Sequence, residues 1–362
     1  MPCLRWRSKR ASPAPTSSPS SLGIYSDPKS LFELLRSPAT GGLVRVRLLR
    51  CSWLLQRADK ISSCTSDAER AAWSLPRRQD LESTEPEAFL SAEDVEALPR
   101  SVGDEVSAYD TAKSRHILRV LSVSHAWERA DHPDPFGRTL VALAAAIRRA
   151  QSERVPTPVD GQAYHTLPSG ELGVFLDWTA LTQKDASGAR TPGEQAAFDG
   201  ALGIMQLWYA HTSLTVFLMT GAPTAEGGGL VPYMQRGWPN FERLVAMIAK
   251  PISEHHWPLI IDVGSGSGTV ARVPPLTAAA FASRLEELTF TNGADRAVVS
   301  ALYATTLNDV LGGVTKLAYM SLGWGDEDIR TLIPLLPMCK NATTLGPCHG
   351  RTLCPFDPPF DP

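Results

Sequence analysis

The sequence has little of what marks a metal, redox, membrane or nucleic-acid-binding protein. Its six cysteines form no C-x-x-C pair and have no histidine partner at zinc-ligand spacing, so neither a metal site nor a redox motif is predicted. The longest purely apolar run, Leu140–Ile147, is far shorter than the ~20 residues of a bilayer span. Lys and Arg number 35 against 38 Asp and Glu, and a net charge of −3 gives no footprint for nucleic acid. We therefore expect neither a membrane nor a nucleic acid as a partner.

The overall composition is that of a folded globular protein, and we expect its cysteines to be free thiols. The 362 residues are 43% hydrophobic and 20% charged, which is typical of globular domains. Because no signal-peptide pattern is visible, we expect reduced cysteines and a cytoplasmic location. The Arg/Ser-rich start leaves organellar targeting as an alternative, although Pro13, Pro15 and Pro19 interrupt the amphipathic helix that a transit peptide needs.

Composition divides the chain into five segments. Residues 1–30 are rich in Arg, Ser and Pro and are predicted to be a disordered tail. Residues 31–115 are predicted to form an irregular N-terminal extension with short helices, and residues 116–275 an α/β domain. Residues 276–345 are predicted to be a helical connector followed by a partial leucine-rich repeat, and residues 346–362 a second disordered tail.

Strand-like and helix-like segments alternate from residue 116 onward. Three buried-type strands are predicted at Ile117–Val123, Gly173–Asp177 and Leu214–Met219. Apolar residues at helical spacing follow each strand: Leu140, Leu143 and Ile147, then Phe198, Leu202, Met205 and Tyr209 on one helix, then Phe241, Leu244, Val245 and Ile248. Because parallel neighbours need crossover connections, the pattern predicts a three-layer α/β fold with a mainly parallel sheet flanked by helices. Ligands of such sheets lie beyond the carboxyl ends of the strands.

The C-terminal part has a different pattern. A turn at Asn292-Gly293 leads into a predicted helix, Ala297–Leu307. Leu317–Leu322 then shows an L-x-x-M-x-L spacing, which Ala342 and Leu345 repeat 25 residues later. One and a half leucine-rich repeats cannot bury a core alone, so this segment is predicted to pack on the rest of the chain and to contact other proteins.

A glycine-rich motif offers one functional hypothesis. Leu259–Gly268 resembles the first motif of S-adenosylmethionine-dependent methyltransferases, and a second glycine-rich loop is predicted at Gly221–Gly229. Pro274-Pro275 falls where the helix after the first motif should form, and no second strand ending in an acidic residue follows. We interpret Leu259–Gly268 as a short strand and a flexible loop, and keep the methyltransferase as the weaker alternative.

A dispersed set of residues carries a stronger resemblance. The set comprises Val174–Asp185, Glu194-Gln195, Met205, Tyr209 and Arg236–Glu242. In order and rough spacing it resembles the fungal heterokaryon-incompatibility (HET) domain, a member of the Toll/interleukin-1 receptor (TIR) superfamily, over about residues 116–250. Trp238 precedes Glu242 by four residues, as in the Trp-x-x-x-Glu of TIR enzymes that cleave NAD. The chain departs from the family pattern at Ala126, Thr212 and Phe241.

The resemblance implies a site and a reaction. Glu242 is the implied catalytic residue, and the implied substrate-binding residues are Trp238, Asp177, Ser124, His125, Trp127, Arg236 and Gln183. The implied reaction is hydrolysis of NAD, or a related nucleotide, at the nicotinamide–ribose bond by a self-associating signalling or defence domain without metal or cofactor. Two alternatives stay open: a non-catalytic interaction module, and a structural Glu242 placed in the first turn of its helix by the helix dipole.

Overall fold

The computed structural model describes residues 23–36, 42–98, 118–156, 163–165, 167–221, 231–250, 260–264, 272–314, 316–317, 319, 322, 324–342 and 344–345. Its centre is a six-stranded sheet in the order β2-β1-β6-β3-β7-β8. The strands of the described residues, in chain order β1 to β10, are Leu48–Arg50, Phe89–Leu90, Val120–Ser124, Arg154–Pro156, Ala163–His165, Gly173–Phe175, Thr215–Leu218, Ile260–Asp262, Lys316–Leu317 and Thr344–Leu345.

Four strands of the central sheet are parallel. β3 pairs in parallel with both β6 and β7, and β7 pairs in parallel with β8. Numbered by their order in the chain, these four strands lie side by side as second, first, third and fourth. The chain therefore adds β6 on one side of β3 and then β7 and β8 on the other side, which is a reversal of strand order. Such a reversal in a doubly wound sheet marks the crevice where ligands bind. The predicted parallel sheet is confirmed, with the first strand beginning three residues later than expected.

Helices cover both faces of the sheet. In chain order α1 to α14, they are Gly23–Ser26, Pro28–Arg36, Cys51–Ser62, Asp67–Ala72, Arg78–Thr84, Ala92–Ala97, Arg138–Ser152, Asp177–Ala180, Pro192–Leu202, Met205–Ala210, Gly237–Ala249, Ala278–Glu286, Asp295–Gly313 and Asp326–Leu332. Side chains alternate across each strand, so Leu121 and Val123 pack with α3 and α7, whereas Val120 packs with α10 and α11. Two apolar cores, one on each face, give the three layers that the sequence predicts.

Residues 42–98 contribute two strands to this sheet. β1 pairs antiparallel with β6, and β2 continues the same edge. Fully buried Arg78 fastens the segment because its guanidinium donates to the carbonyl oxygens of Val44, Arg45 and Ala180 and lies 3.2 Å from Glu82. Residues 42–98 are therefore part of the α/β domain, and the predicted boundary at residue 116 separates no structural units.

One predicted helix is in fact two. The sequence places Phe198 to Tyr209 on a single helix, but α9 ends at Leu202 and α10 begins at Met205. The break follows from Gly203, since glycine destabilises a helix interior, and Ile204 leaves the helical region with φ −123° and ψ 11°. The predicted helices around residues 140–147 and 241–248 are confirmed.

The C-terminal part packs beside α11. α13 contacts α11 along its length and is longer than the predicted helix. β9 and β10 then pair in parallel around α14, a strand–helix–strand unit in which the leucine-rich repeat stays a prediction. The prediction of a disordered tail over residues 1–30 is wrong for residues 23–30, which form α1 and the start of α2 because Tyr25 is fully buried in the core. Residues 1–22, the predicted tail at 346–362 and the glycine-rich loop beyond Gly221 lie outside the described residues. Within the described ranges, every helix is too short or too polar to span a bilayer.

Candidate active site

A cleft of about 1210 Å³ opens at the carboxyl ends of β3 and β6 and beside the first turns of α11. Seven of the eight site residues predicted from the sequence line it: His125, Trp127, Asp177, Gln183, Arg236, Trp238 and Glu242. The eighth, Ser124, is fully buried behind Glu242. Side chains up to 118 residues apart in the chain are thus brought together, as expected where parallel strands end.

The helix that carries Glu242 begins earlier than the dipole alternative requires. α11 starts at Gly237, where the ring of Phe290 occupies the space that a side chain would need. The Asn240 side chain donates to the carbonyl oxygens of Met234 and Arg236 just before the helix. Glu242 is therefore its sixth residue and only 4% exposed, so the hypothesis of a first-turn acid stabilised by the dipole is wrong.

Glu242 ends a chain of buried hydroxyl groups. Ser124 Oγ donates to Glu242 Oε2 at 2.6 Å, and the Tyr233 hydroxyl lies 2.6 Å from the same Oγ. Tyr233 also reaches the carbonyl oxygen of Pro239, at 3.2 Å. Alternation along β3 aims Ser124 at the α11 face, which is why a strand residue can reach a carboxyl on a helix.

Burial and, to a smaller extent, the nearby charge of Asp177 raise the pKa of Glu242 to about 8. Hydrogen bonds from Ser124 and Tyr209 to the carboxylate act in the opposite direction. At neutral pH most molecules therefore hold a proton on Glu242. A carboxyl group whose pKa lies this close to neutrality can change protonation state during a reaction.

Asp177 is held by donors rather than buried. It follows β6 at the start of α8, where its Oδ1 accepts from the backbone N–H of Trp178 at 2.7 Å. Its Oδ2 accepts from Trp127 Nε1 at 2.8 Å, and His125 Nε2 lies 3.7 Å from Oδ1. Gln183 donates to the backbone oxygen of Asp177 at 3.1 Å. These contacts fix one carboxylate on the wall of the cleft.

Arg236 and Trp238 line another part of the cleft. Arg236 donates to the carbonyl oxygens of Trp127 and Val231, so it joins the segments after β3 and β7. The Trp238 indole donates to Asp295 Oδ2 at 3.0 Å, which fixes the ring at the cleft surface. Half-buried Trp238 is thus an oriented, accessible aromatic wall beside the carboxyl of Glu242.

Several residues at or behind the cleft were not among the predicted site residues. Tyr233 and Tyr209 lie behind the cleft and approach Glu242 only through tertiary packing. Phe290 and Asp295 line the cleft beside Trp238, yet the sequence predicts only a turn there. Their segment is held against the start of α11 because the Gly237 N–H donates to the carbonyl oxygen of Thr289 and the Thr289 N–H donates to that of Gln235.

The glycine motif lies at a different strand end. Asp262 closes β8 and accepts hydrogen bonds from the Thr220 hydroxyl and, at 2.9 Å, from the backbone N–H of Gly264. It does not line the cleft. Most of the motif's glycines lie outside the described residues. Among the residues that the structure describes, no group of three His, Cys, Asp or Glu side chains is placed to hold a metal ion.

Comparison of the chain with family models, curated proteins and solved structures gives no significant match. The chemistry of the cleft must therefore be argued from its own residues. Six carboxyl groups line the cleft, and among them Glu242 is buried whereas Asp177 is bound by N–H donors. Paired carboxyls with separated environments are the usual equipment for cleaving a glycosidic bond.

Proposed function

We propose that the chain is a TIR/HET-like signalling or defence protein that hydrolyses NAD, or a related nucleotide, at the nicotinamide–ribose bond. The observation that carries the proposal is the buried carboxyl of Glu242 at the wall of a large cleft that Trp238 and Asp177 also line. The doubly wound strand order, with the cleft at its reversal point, also supports a TIR-like fold.

Each residue has a distinct role in this reaction. The bond between ribose and the nicotinamide nitrogen breaks with both electrons going to the ring, which neutralises the pyridinium and leaves a cationic sugar. The ionised form of Glu242 stabilises that positive charge more in the transition state than in the ground state. Water then adds to the sugar carbon, and its proton passes to the Glu242 carboxylate and on to solvent.

The aromatic and acidic walls bind the substrate. Trp238 offers a stacking face for the nicotinamide ring, and its bond to Asp295 holds that face in place. Asp177, whose orientation Trp127 fixes, accepts hydrogen bonds from ribose hydroxyls. Ser124 orients the Glu242 carboxyl through its hydrogen bond. Gln183 and Arg236 hold the backbones of Asp177 and Trp127 in place by donating to their carbonyl oxygens.

Assembly and location complete the proposal. Self-association would bring a second copy to the cleft mouth, and the strand–helix–strand unit around α14 would contact other proteins. Leucine-rich repeats present such binding surfaces. We place the protein in the cytoplasm, consistent with free thiols at the three described cysteines, Cys51, Cys64 and Cys339.

The test is release of nicotinamide by the full chain incubated with NAD at high protein concentration and, separately, fused to an oligomerising helix. Glu242→Gln keeps the shape but cannot become an anion, so we expect a loss on the order of 10²–10³ in rate. If neither wild-type preparation releases nicotinamide, the enzyme hypothesis is wrong and the interaction module takes its place. If Glu242→Gln retains full activity, the assignment of Glu242 is wrong.

A further inference from the structure

A second charged feature of the cleft takes no part in the roles above. Arg190, which follows the loop after α8, is half-buried and lies flat on Phe198, with its Cζ 3.6 Å from the ring centroid. Its Nε donates to the carbonyl oxygen of Thr182 at 3.0 Å. Stacking and this hydrogen bond fix the guanidinium plane at the cleft wall, while both terminal amino groups carry no hydrogen bond among the described residues.

The acidic neighbours of Arg190 are occupied elsewhere. Glu194 accepts from the Thr191 backbone N–H at 2.7 Å and from Gln79 Nε2 at 3.0 Å, and Asp199 accepts from Gln195 Nε2 at 2.7 Å. No described residue forms an ion pair with Arg190 within 4 Å. Burial lowers the pKa of Arg190, and the nearby charges of Asp199 and Glu194 act in the opposite direction.

The other cations of the cleft are engaged or free to move. Arg77 makes a bidentate pair with Asp80, with distances of 2.8 and 2.6 Å, which saturates its charge. Two of the three guanidinium nitrogens of Arg236 donate hydrogen bonds to backbone carbonyl oxygens. Lys184 is exposed. Arg190 alone among these combines a fixed plane with two open terminal amino groups, the arrangement that binds phosphate oxygens in a bidentate manner.

We propose that Arg190, stacked on Phe198, is a phosphate subsite, so that the cleft selects a phosphorylated dinucleotide over the corresponding nucleoside. The inference rests on the proposed function and names the part of the substrate that Glu242 and Trp238 leave unbound. A volume of about 1210 Å³ exceeds the roughly 300–1,000 Å³ of an ordinary small-molecule pocket, so there is room for a ligand with two nucleotide halves.

The test compares substrates with and without phosphate. Kinetics of nicotinamide release from NAD and from nicotinamide riboside are measured for the wild type, Arg190→Gln and Arg77→Gln. We expect Arg190→Gln to raise the KM for NAD about 10- to 100-fold, the usual effect of losing a charge-assisted bidentate contact, and to leave nicotinamide riboside unchanged. Arg77→Gln removes the same formal charge from the same cleft, but we expect less than a threefold change.

Binding separates this inference from the proposed function. Calorimetric affinities for NAD, nicotinamide riboside and inorganic pyrophosphate are measured in the Glu242→Gln chain, alone and combined with Arg190→Gln or Arg77→Gln. If NAD binds in an Arg190-dependent manner but the wild type releases no nicotinamide, the subsite stands and the hydrolase proposal fails. If Arg190→Gln weakens NAD and nicotinamide riboside equally, weakens neither, or has no more effect than Arg77→Gln, the phosphate subsite is wrong.

Discussion

Two aspartates lie at the carboxyl ends of parallel strands in the same sheet, yet their surroundings differ. Asp177 follows β6, lines the cleft and is held by Trp127 Nε1 at 2.8 Å. Asp262 ends β8 at the sheet edge, where the Thr220 hydroxyl and the Gly264 backbone bind it outside the cleft. Both aspartates follow an apolar strand in the sequence. The glycine-rich motif belongs to Asp262, whereas the cleft lies beside Asp177.

The difference shows what turns a strand end into a site. β6 lies next to β3, and the residues that follow these two parallel strands line the cleft together with the start of α11. β8 has only β7 as a neighbour, and its end packs closely against the turn at Gly221. The site therefore depends on position in the sheet, which a local motif does not encode.

The largest expected difference between the two strand ends concerns the pH dependence of folding stability, because the buried carboxyl of Glu242 lies near Asp177. Folding raises the pKa of Glu242 from 4.5 to about 8, so the folded chain keeps a proton that the unfolded chain releases. Wild-type stability should therefore fall as pH rises from about 4.5 to 8 and then level off. Glu242→Gln carries no such group, so it should be more stable than wild type by up to several kcal/mol at pH 9.

Urea denaturation at pH 5 and pH 9 measures this effect. We expect the two chains to have similar free energies of unfolding at pH 5 and to diverge by pH 9, with Asp262→Asn as a second chain for comparison. Equal stabilities of the wild type and Glu242→Gln at both pH values would show that Glu242 is not held in a protonating environment.

The same proton controls the rate. Because the ionised form of Glu242 stabilises the sugar cation, kcat/KM for NAD should increase about 100-fold between pH 6 and pH 9 and level off above a midpoint near 8. The measurement is nicotinamide release across that range, after subtraction of spontaneous release. A rate that falls with increasing pH would mean that Glu242 acts as an acid, and our mechanism would be wrong.

The sequence predicts the parallel strands and the proximity of the residues at their carboxyl ends. It does not predict the antiparallel strands or the buried residues behind the cleft. Alternating apolar segments identify β3, β6 and β7, and the rule for parallel sheets places Ser124 and Asp177 at one edge. The three residues of β1 are too few to show a period, so the sheet's antiparallel edge is invisible in the sequence. Tyr233 reaches Ser124 across 109 residues, and no local pattern reports such a contact.

Ser124 offers a smaller test on a single strand. Ser124→Ala removes the hydroxyl that donates to the Glu242 carboxylate, so the pKa of Glu242 and the midpoint of the pH–rate profile should rise by about one unit. Ser122→Ala is the matched control, because Ser122 lies on the same face of β3 but donates to the carbonyl oxygen of Trp208. A shift of similar size in both variants would show that loosening of the strand, rather than the hydrogen bond to Glu242, moves the profile.

The most direct test of the central claim, that the cleft beside β6 and not the end of β8 is the functional site, compares Asp177→Asn with Asp262→Asn. Both changes remove one charge without changing size, and NAD affinity is measured for each in the Glu242→Gln chain. We expect Asp177→Asn to weaken NAD binding about tenfold, as for the loss of a hydrogen bond from a charged group, and Asp262→Asn to leave it within twofold. Weaker binding in Asp262→Asn alone, or binding of S-adenosylmethionine that Asp262→Asn abolishes, would contradict the account.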